Sequence, residues 1–416
     1  MSAVLAPLEA AGSPLGRRLV DDDFLDDPYP TYRALREAGP IHWSDEFFGG
    51  AWLLTRHDDV EMVLRDARFS ARRTGGWVMG TGDGARAELK GFQSLYARAM
   101  LFLDAPDHRR IRRVLSAGFR PEVIQRLVPD IETLVDELLD GLDAEGEFDL
   151  MQRLARPLPA RVIAKLMGIE GSVLPCFMTW SDDLAEFMGA VRPSLEQARR
   201  AQVSLMAMSG YFESRLQGCG ASDDDLVSRL AQATRAGNIK DGPELLSQCA
   251  MLLFAGHETT RNLLGNGLYH LLARPPLWRA LQRDPRQLPT AIRELLRFDS
   301  PVQYTGRRVA ADLVMHGRVL RRGDLVIGLI GAANRDPQRY EDPDRLDLSR
   351  RGASSLSFGW GPHACIGATL TLTEAEVAFR RILQRWPNLS LADGRPQWTR
   401  NPLYRGLSAL TVHRSA

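Results

Sequence analysis

Ten consecutive residues carry the densest chemistry in the chain: Phe358-Gly359-Trp360-Gly361-Pro362-His363-Ala364-Cys365-Ile366-Gly367. A thiolate that serves as axial ligand to an iron in a flat ring needs its backbone to pass close beneath that ring. Gly359, Gly361 and Gly367 remove the side chains that would obstruct the approach and permit left-handed backbone angles. The apolar pattern of Ile366–Ile382 predicts a helix, which sets Cys365 near a helix N-terminus, where the dipole favours the thiolate. Backbone N–H groups aimed at the sulfur would tune the iron, and His363 is placed to donate to a carboxylate on the ring. A free cysteine taken singly is usually a small buried hydrophobe. The complete spacing F-G-x-G-x-H-x-C-x-G is what turns Cys365 into a ligand candidate.

A second group, Ala255-Gly256-His257-Glu258-Thr259-Thr260, lies on the longest helical pattern of the chain. Ala255 and Gly256 are small enough to let a helix lie against a ring face and leave room for dioxygen. The Thr259 hydroxyl can draw the carbonyl of Ala255 out of the helical ladder and open a local pocket. Glu258 adds an ionisable group able to relay protons, which cleavage of an O–O bond requires. Alone, a Thr-Thr pair beside an acid reads equally as the lining of a polar crevice.

The cysteine segment resembles the haem-binding loop of the cytochrome P-450 superfamily, and the Ala255–Thr260 stretch precedes it in the order that family shows. The resemblance covers essentially the whole chain, with ordered motifs from residue 104 to 374. It implies haem b held by Cys365, with Phe358, Gly359, His363 and Gly367 on the cysteine side and Ala255 and Gly256 on the other. It implies proton delivery by Glu258 and Thr259, and a structural rather than catalytic place for His257. His108 and Arg112, one helical turn apart, resemble the family's pair for the haem propionates. Arg307 resembles a further propionate arginine, its neighbour Arg308 leaving that choice open by one position. Glu294 and Arg297 resemble a buried structural ion pair locked with a later arginine, expected to be Arg345. Ala332-Ala333-Asn334-Arg335-Asp336 and the Gly367/Glu374 pairing also follow the bacterial pattern. One departure is Leu370-Thr371-Leu372, where the family commonly has Leu-Ala-Arg; it bears on partner docking more than on haem.

The activity this implies is a monooxygenase that inserts one oxygen atom of dioxygen into a lipophilic molecule such as a polyketide, peptide or terpenoid. Electrons would come from a separate ferredoxin and its reductase, steered by Arg109, Arg110 and Arg113, a set that reads equally as a solvated helix face. Pocket candidates from the family layout are Trp77, Val78, Met79 and Phe92, then Phe187, Met188 and Val191, then Leu253, Val302, Tyr304 and Leu403. Two rivals are a peroxide-driven haem enzyme and a non-catalytic haem protein for recruitment or gas sensing; the intact Glu258–Thr259 pair argues against both.

These residues need elements to hold them. Ile131, Leu134, Val135, Leu138, Leu139 and Leu142 recur at helical spacing, and Leu245–Leu272 is apolar on nearly all sides, as a central buried helix would be. Ile41–Trp43 and Ala51–Thr55 read as a hairpin, Arg307–Ile330 as short strands, and Leu389–Arg414 as a turn-rich tail. Residues 71–100, broken up by Gly75, Gly76, Gly80, Gly82 and Gly84 yet carrying large apolar side chains, read either as a binding loop or as a surface loop. The expected fold is mainly α with a minor β portion (α+β), a triangular single domain over 1–416, with residues 1–20 as a flexible N-terminal tail and haem between the central helix and the cysteine loop. A net charge of +1 speaks against a nucleic-acid binder. Cys176, Cys219, Cys249 and Cys365 show no disulfide-like or C-x-x-C spacing, and no apolar run is long enough for a membrane. A soluble, cytoplasmic and monomeric protein is the expectation.

Overall fold

Thirty-one residues, Gly242–Leu272, form one continuous helix that the rest of the chain surrounds. Its start is fixed by Asp241, whose side chain accepts from the Glu244 N–H at 2.8 Å. Most of its residues are buried, because the helices Pro157–Met167, Leu195–Gly218, Leu288–Phe298 and Ala368–Arg385 all pack against it. A helix apolar on nearly all sides has only this solution in a water-soluble fold. The computed structural model describes residues 19–74, 83–142, 145–218, 225–352, 354–392 and 396–414. Among these, no helix is long and apolar enough to cross a membrane.

The largest sheet of the minor β portion has five strands, in the order Ile41–Ser44, Ala51–Leu54, Leu325–Gly328, Thr305–Val309, Phe69–Ser70. The expected hairpin of the first two strands is present, and Ala51–Leu54 then runs parallel to Leu325–Gly328. Strand alternation separates the two neighbouring arginines. Arg307 is buried, whereas Arg308 turns its guanidinium to the Gly323 carbonyl at 2.8 Å near the surface. Residues 71–100 are not one long loop, since Asp83–Glu88 and Lys90–Tyr96 are helical. Large apolar residues drive the second of these: Phe92, Leu95 and Tyr96 are all buried.

A buried ionic knot ties the Leu288–Phe298 helix to the segment that leads into the cysteine loop. Arg297 pairs twice with Glu294, at 2.7 and 2.8 Å, and donates to the carbonyls of Asn334, Pro343 and Arg345. The expected locking arginine is corrected here. Arg345 supplies only its main-chain carbonyl and its side chain is exposed, while Arg350 reaches the Glu294 carboxylate at 3.1 Å. A carboxylate this deeply buried needs every lone pair engaged, and the Asp347 N–H completes the set. Asn334 continues the tie, donating to Ser300 and Ser357 and accepting from the Leu356 N–H at the entrance to the cysteine loop.

Candidate active site

The cysteine loop is built by backbone hydrogen bonds that only its glycines allow. Gly359 and Gly361 take φ of +68° and +69°, in the left-handed region. The chain can then double back, so that the Cys365 N–H donates to the Phe358 carbonyl at 2.7 Å. Cys365 stands just before the helix Ala368–Arg385, which Gly367 caps. The Gly367 N–H donates to the sulfur. Burial pushes the thiol up, while that N–H and Arg112 pull it down. The sulfur is exposed, and what it is exposed to is an internal cavity of about 370 Å³.

Across that cavity lies one stripe of the central helix: Gln248, Met251, Leu252, Ala255, Glu258 and Thr259. Their spacing is that of one helix face. Gly256 falls off it, against the expectation. A Cβ there would stand 2.7 Å from Ile163, so its smallness serves the packing of the Pro157–Met167 helix. Thr259 Oγ1 stands 3.5 Å from the Ala255 carbonyl, the outer limit of a hydrogen bond, and the helix runs on unbroken. His257 points away, its Nδ1 2.9 Å from the Leu253 carbonyl, and burial drives its pKa down to about 4.

Glu258 is buried, and burial raises its pKa against the opposing pull of Arg261. One carboxylate oxygen is held by Arg261 and Asn262; the other, Oε2, is buried with no hydrogen-bond partner among the described residues. From Arg261 the charges continue at 3.3 Å to Asp182, a half-exposed carboxylate that Arg156 also pairs with. This line to the surface was missed in the sequence, although Arg261 stands three residues after Glu258 on the same helix.

Below the cavity three guanidiniums and two imidazoles converge. His108 and Arg112 come from the helix Asp107–Ser116, Arg307 from the sheet, His363 from the cysteine loop and Arg73 from the chain after Phe69–Ser70. The two imidazole centroids lie 4.0 Å apart, and Nε2 of His108 is buried without a hydrogen-bond partner among the described residues. Burial first, then Arg307 and His108, drive His363 down to about 3; burial and then Arg73 bring Arg307 to about 9. Asp104 is the acid that acts on Arg307 and His108, and it is engaged by Ser70 and the Ala71 N–H. So much mutually repelling positive charge fits a ligand that brings carboxylates. The residues therefore fit a haem: a thiol beneath, a propionate cradle at one edge, and an open helix face above. Arg73 was not singled out in the sequence.

Of the pocket candidates, Phe187, Met188, Val302, Tyr304 and Leu403 line the cavity. Phe92 does not: it stacks behind Tyr96, which takes the lining position. Val191 packs with the N-terminal cluster, its carbonyl accepting from the Phe48 N–H. Leu253 is buried on the far side of the central helix, and Phe254 lines instead. Trp77, Val78 and Met79 lie outside the described residues.

The cytochrome P450 family model matches residues 82–403. The cytochrome P450 monooxygenase PikC of Streptomyces venezuelae is 37% identical over 398 residues, covering 94% of this chain and 92% of that one. The polyketide biosynthesis cytochrome P450 PksS of Bacillus subtilis (strain 168) is 34% identical over 397 residues, with 94% and 96% covered. The solved structure of PksS superimposes with a TM-score of 0.85 at 32% identity, covering 96% of this chain and 99% of that one. With a thiol, an acid–alcohol pair and a cation cradle around one cavity, the chain belongs to the cytochrome P450 family and is a monooxygenase of that family.

Proposed function

We propose that this enzyme oxidises a lipophilic secondary metabolite, of polyketide, peptide or terpenoid type, by hydroxylation or epoxidation. The observation that carries this reading is the placement of Cys365 and the Glu258–Thr259 pair on one cavity with a mostly apolar lining. The named roles of PikC and PksS, the latter in polyketide biosynthesis, support the substrate class. The cofactor is haem b, ligated by Cys365 and held at its propionates by His108, Arg112, Arg307 and His363, with Phe358, Gly359 and Gly367 shaping the cysteine side. When bound, it activates dioxygen and transfers one oxygen atom to the substrate, the other leaving as water.

The chain's own part is to bind, exclude water and move protons. Met251, Leu252, Ala255 and Val302 offer an apolar wall to the substrate. Glu258 holds one oxygen on Arg261 and keeps Oε2 free to carry a proton inward. Thr259 Oγ1, one residue on and facing the cavity, would take that proton and present it at the cavity wall. The acid–alcohol pair on the cavity favours this reading over a peroxide-driven or a non-catalytic haem protein. Electrons arrive from a separate ferredoxin and its reductase, and the enzyme works as a cytoplasmic, single-domain monomer.

The test is spectroscopic. Reduced, carbon monoxide-treated holoprotein is expected to show the red-shifted Soret band of a thiolate-bound ferrous centre, and Cys365→His to lose it while keeping haem. A haem-loaded wild type without that band overturns the reading.

A further inference from the structure

Before it reaches the acid–alcohol pair, the central helix turns three polar side chains to one stretch of chain. Asp241 at its N-cap, Glu244 and Gln248 are three and four residues apart, which sets them on one face. Arg98 donates to both oxygens of Asp241, at 2.9 and 2.8 Å, and Arg110 to both oxygens of Glu244, at 2.8 and 2.6 Å. Gln248 grips the main chain instead. Its Oε1 accepts from the Met100 N–H at 2.8 Å, and its Nε2 donates to the Arg98 carbonyl at 2.8 Å and to the Glu244 carbonyl at 3.0 Å. Arg98 and Asp241 are half-exposed, whereas Gln248 is 1% exposed.

The stretch that Gln248 grips has no cap of its own. Met100–Phe102 is a single 3-10 turn whose first N–H finds no partner within it, and Ala99 before it has no polar side chain to offer. The cap comes from the central helix, 148 residues further along the chain. Arg73 adds only a contact of 3.4 Å to the Leu101 carbonyl. Met100, Leu101 and Phe102 all line the cavity, so the side chain that fixes this turn fixes an apolar wall of the site. Gln248 lines the cavity too, yet its amide is spent. The Met100 N–H demands an acceptor and the two carbonyls demand donors, which leaves neither amide hydrogen for a ligand.

We propose that Gln248 is a positioning residue for substrate selection, holding Met100, Leu101 and Phe102 as an apolar wall that is already ordered when a ligand arrives. This rests on the haem-thiolate reading of the cavity. A wall ordered before binding spares the ligand the entropy of ordering it. Gln248 therefore acts on each ligand in proportion to the apolar surface that the ligand lays on this wall, and leaves a ligand too small to reach it untouched. The Arg98–Asp241 pair beside it is too exposed to share the task.

The test compares imidazole with 1-octylimidazole, which carry the same ligating nitrogen and differ by an apolar chain, by difference spectroscopy of the holoenzyme. Gln248→Met keeps the size of the side chain and removes its three hydrogen bonds. It is expected to narrow the ratio of the two affinities by about tenfold, the scale of one to two neutral hydrogen bonds, with imidazole itself bound as in wild type. Arg98→Gln should leave the ratio within about twofold of wild type. Hydrogen exchange read by mass spectrometry needs no ligand. Peptides spanning residues 98–103 should be protected in wild type and exchange about tenfold faster in Gln248→Met, while peptides of the central helix keep their rates. An unchanged ratio overturns the proposal, as does a wild type whose 98–103 peptides exchange like an open loop. Faster exchange along the whole central helix also overturns it, since Gln248 would then support the fold at large, and so does an Arg98→Gln protein that narrows the ratio as far as Gln248→Met. The carbon monoxide spectrum separates the two readings. A wild type without the thiolate band defeats the haem-thiolate assignment, while an intact band with an unchanged ratio defeats this proposal alone.

Discussion

His108 and His363 lie with ring centroids 4.0 Å apart and their planes tilted by 38°, one carried by the Asp107–Ser116 helix and the other by the cysteine loop. Asp104, the acid that acts on His108, is itself engaged by Ser70 and the Ala71 N–H, and Nε2 of His108 is buried with no hydrogen-bond partner among the described residues. Both are kept neutral by burial and by the arginines around them. Two neutral imidazoles leave two N–H donors for an anion that comes with the cofactor.

Removing one of those donors should therefore be felt in haem retention. His108→Phe keeps the ring and deletes the donor. A hydrogen bond to a charged acceptor contributes about 1.5–3 kcal/mol, so haem loss to an apo-globin scavenger should quicken by about tenfold or more. Unchanged transfer kinetics would mean that His108 Nε2 does not face the propionates.

The Glu294–Arg297 knot makes a sharper claim about stability. Arg297→Met strands a buried carboxylate and should cost about 3–5 kcal/mol in denaturant unfolding. Arg345→Ala, deleting an exposed side chain whose only contribution to the knot is its backbone carbonyl, should stay within about 0.5 kcal/mol of wild type. Arg350→Ala should fall between them, because it removes one of the donors on Glu294. A large loss at Arg345 and none at Arg350 would reverse the assignment.

That pair also shows what was legible beforehand. Glu294 and Arg297 are one helical face apart, so local periodicity exposes them; the third partner arrives from a loop whose path no periodicity encodes. The cysteine loop was legible for the opposite reason, since its turns need glycine at fixed places and leave a spaced mark. Leu253 was a different kind of miss. The phase of the central helix, read from Ala255, Glu258 and Thr259, already selects Met251 and Leu252 and excludes Leu253. Arg73 was beyond reach, because its place depends on a two-residue strand pairing with residues 308–309.

Buried His257 gives the fold a defined weakness to acid. The folded protein holds it neutral with a pKa of about 4, whereas an unfolded histidine takes up a proton near pH 6.5. Unfolding therefore binds a proton between these values. Stability is unaffected above pH 6.5, falls as the pH drops towards 4, and levels below that, for a total of about 3 kcal/mol from this residue. His257→Asn, which cannot titrate, should show a flatter dependence over that window in urea melts. Parallel curves for the two proteins would remove His257 as the cause.

Glu258 should set an ionisation limb in turnover, and Arg261 should set where that limb lies. Burial raises the Glu258 pKa, and Arg261 is the first group opposing it. Arg261→Gln removes that opposition, so the limb governed by Glu258 should move to higher pH, while the ferrous carbon monoxide spectrum stays as in wild type. Glu258→Gln deletes the limb itself and should lower product formation by about a hundredfold, the low end of what positioned proton transfer contributes. Electron-donor consumption should fall much less, so that oxygen is reduced without product. The ratio of product to donor consumed, followed across pH in all three proteins, is the deciding measurement. A limb that stays put when Arg261 is neutralised would mean that protons reach Thr259 by a route that bypasses this carboxylate.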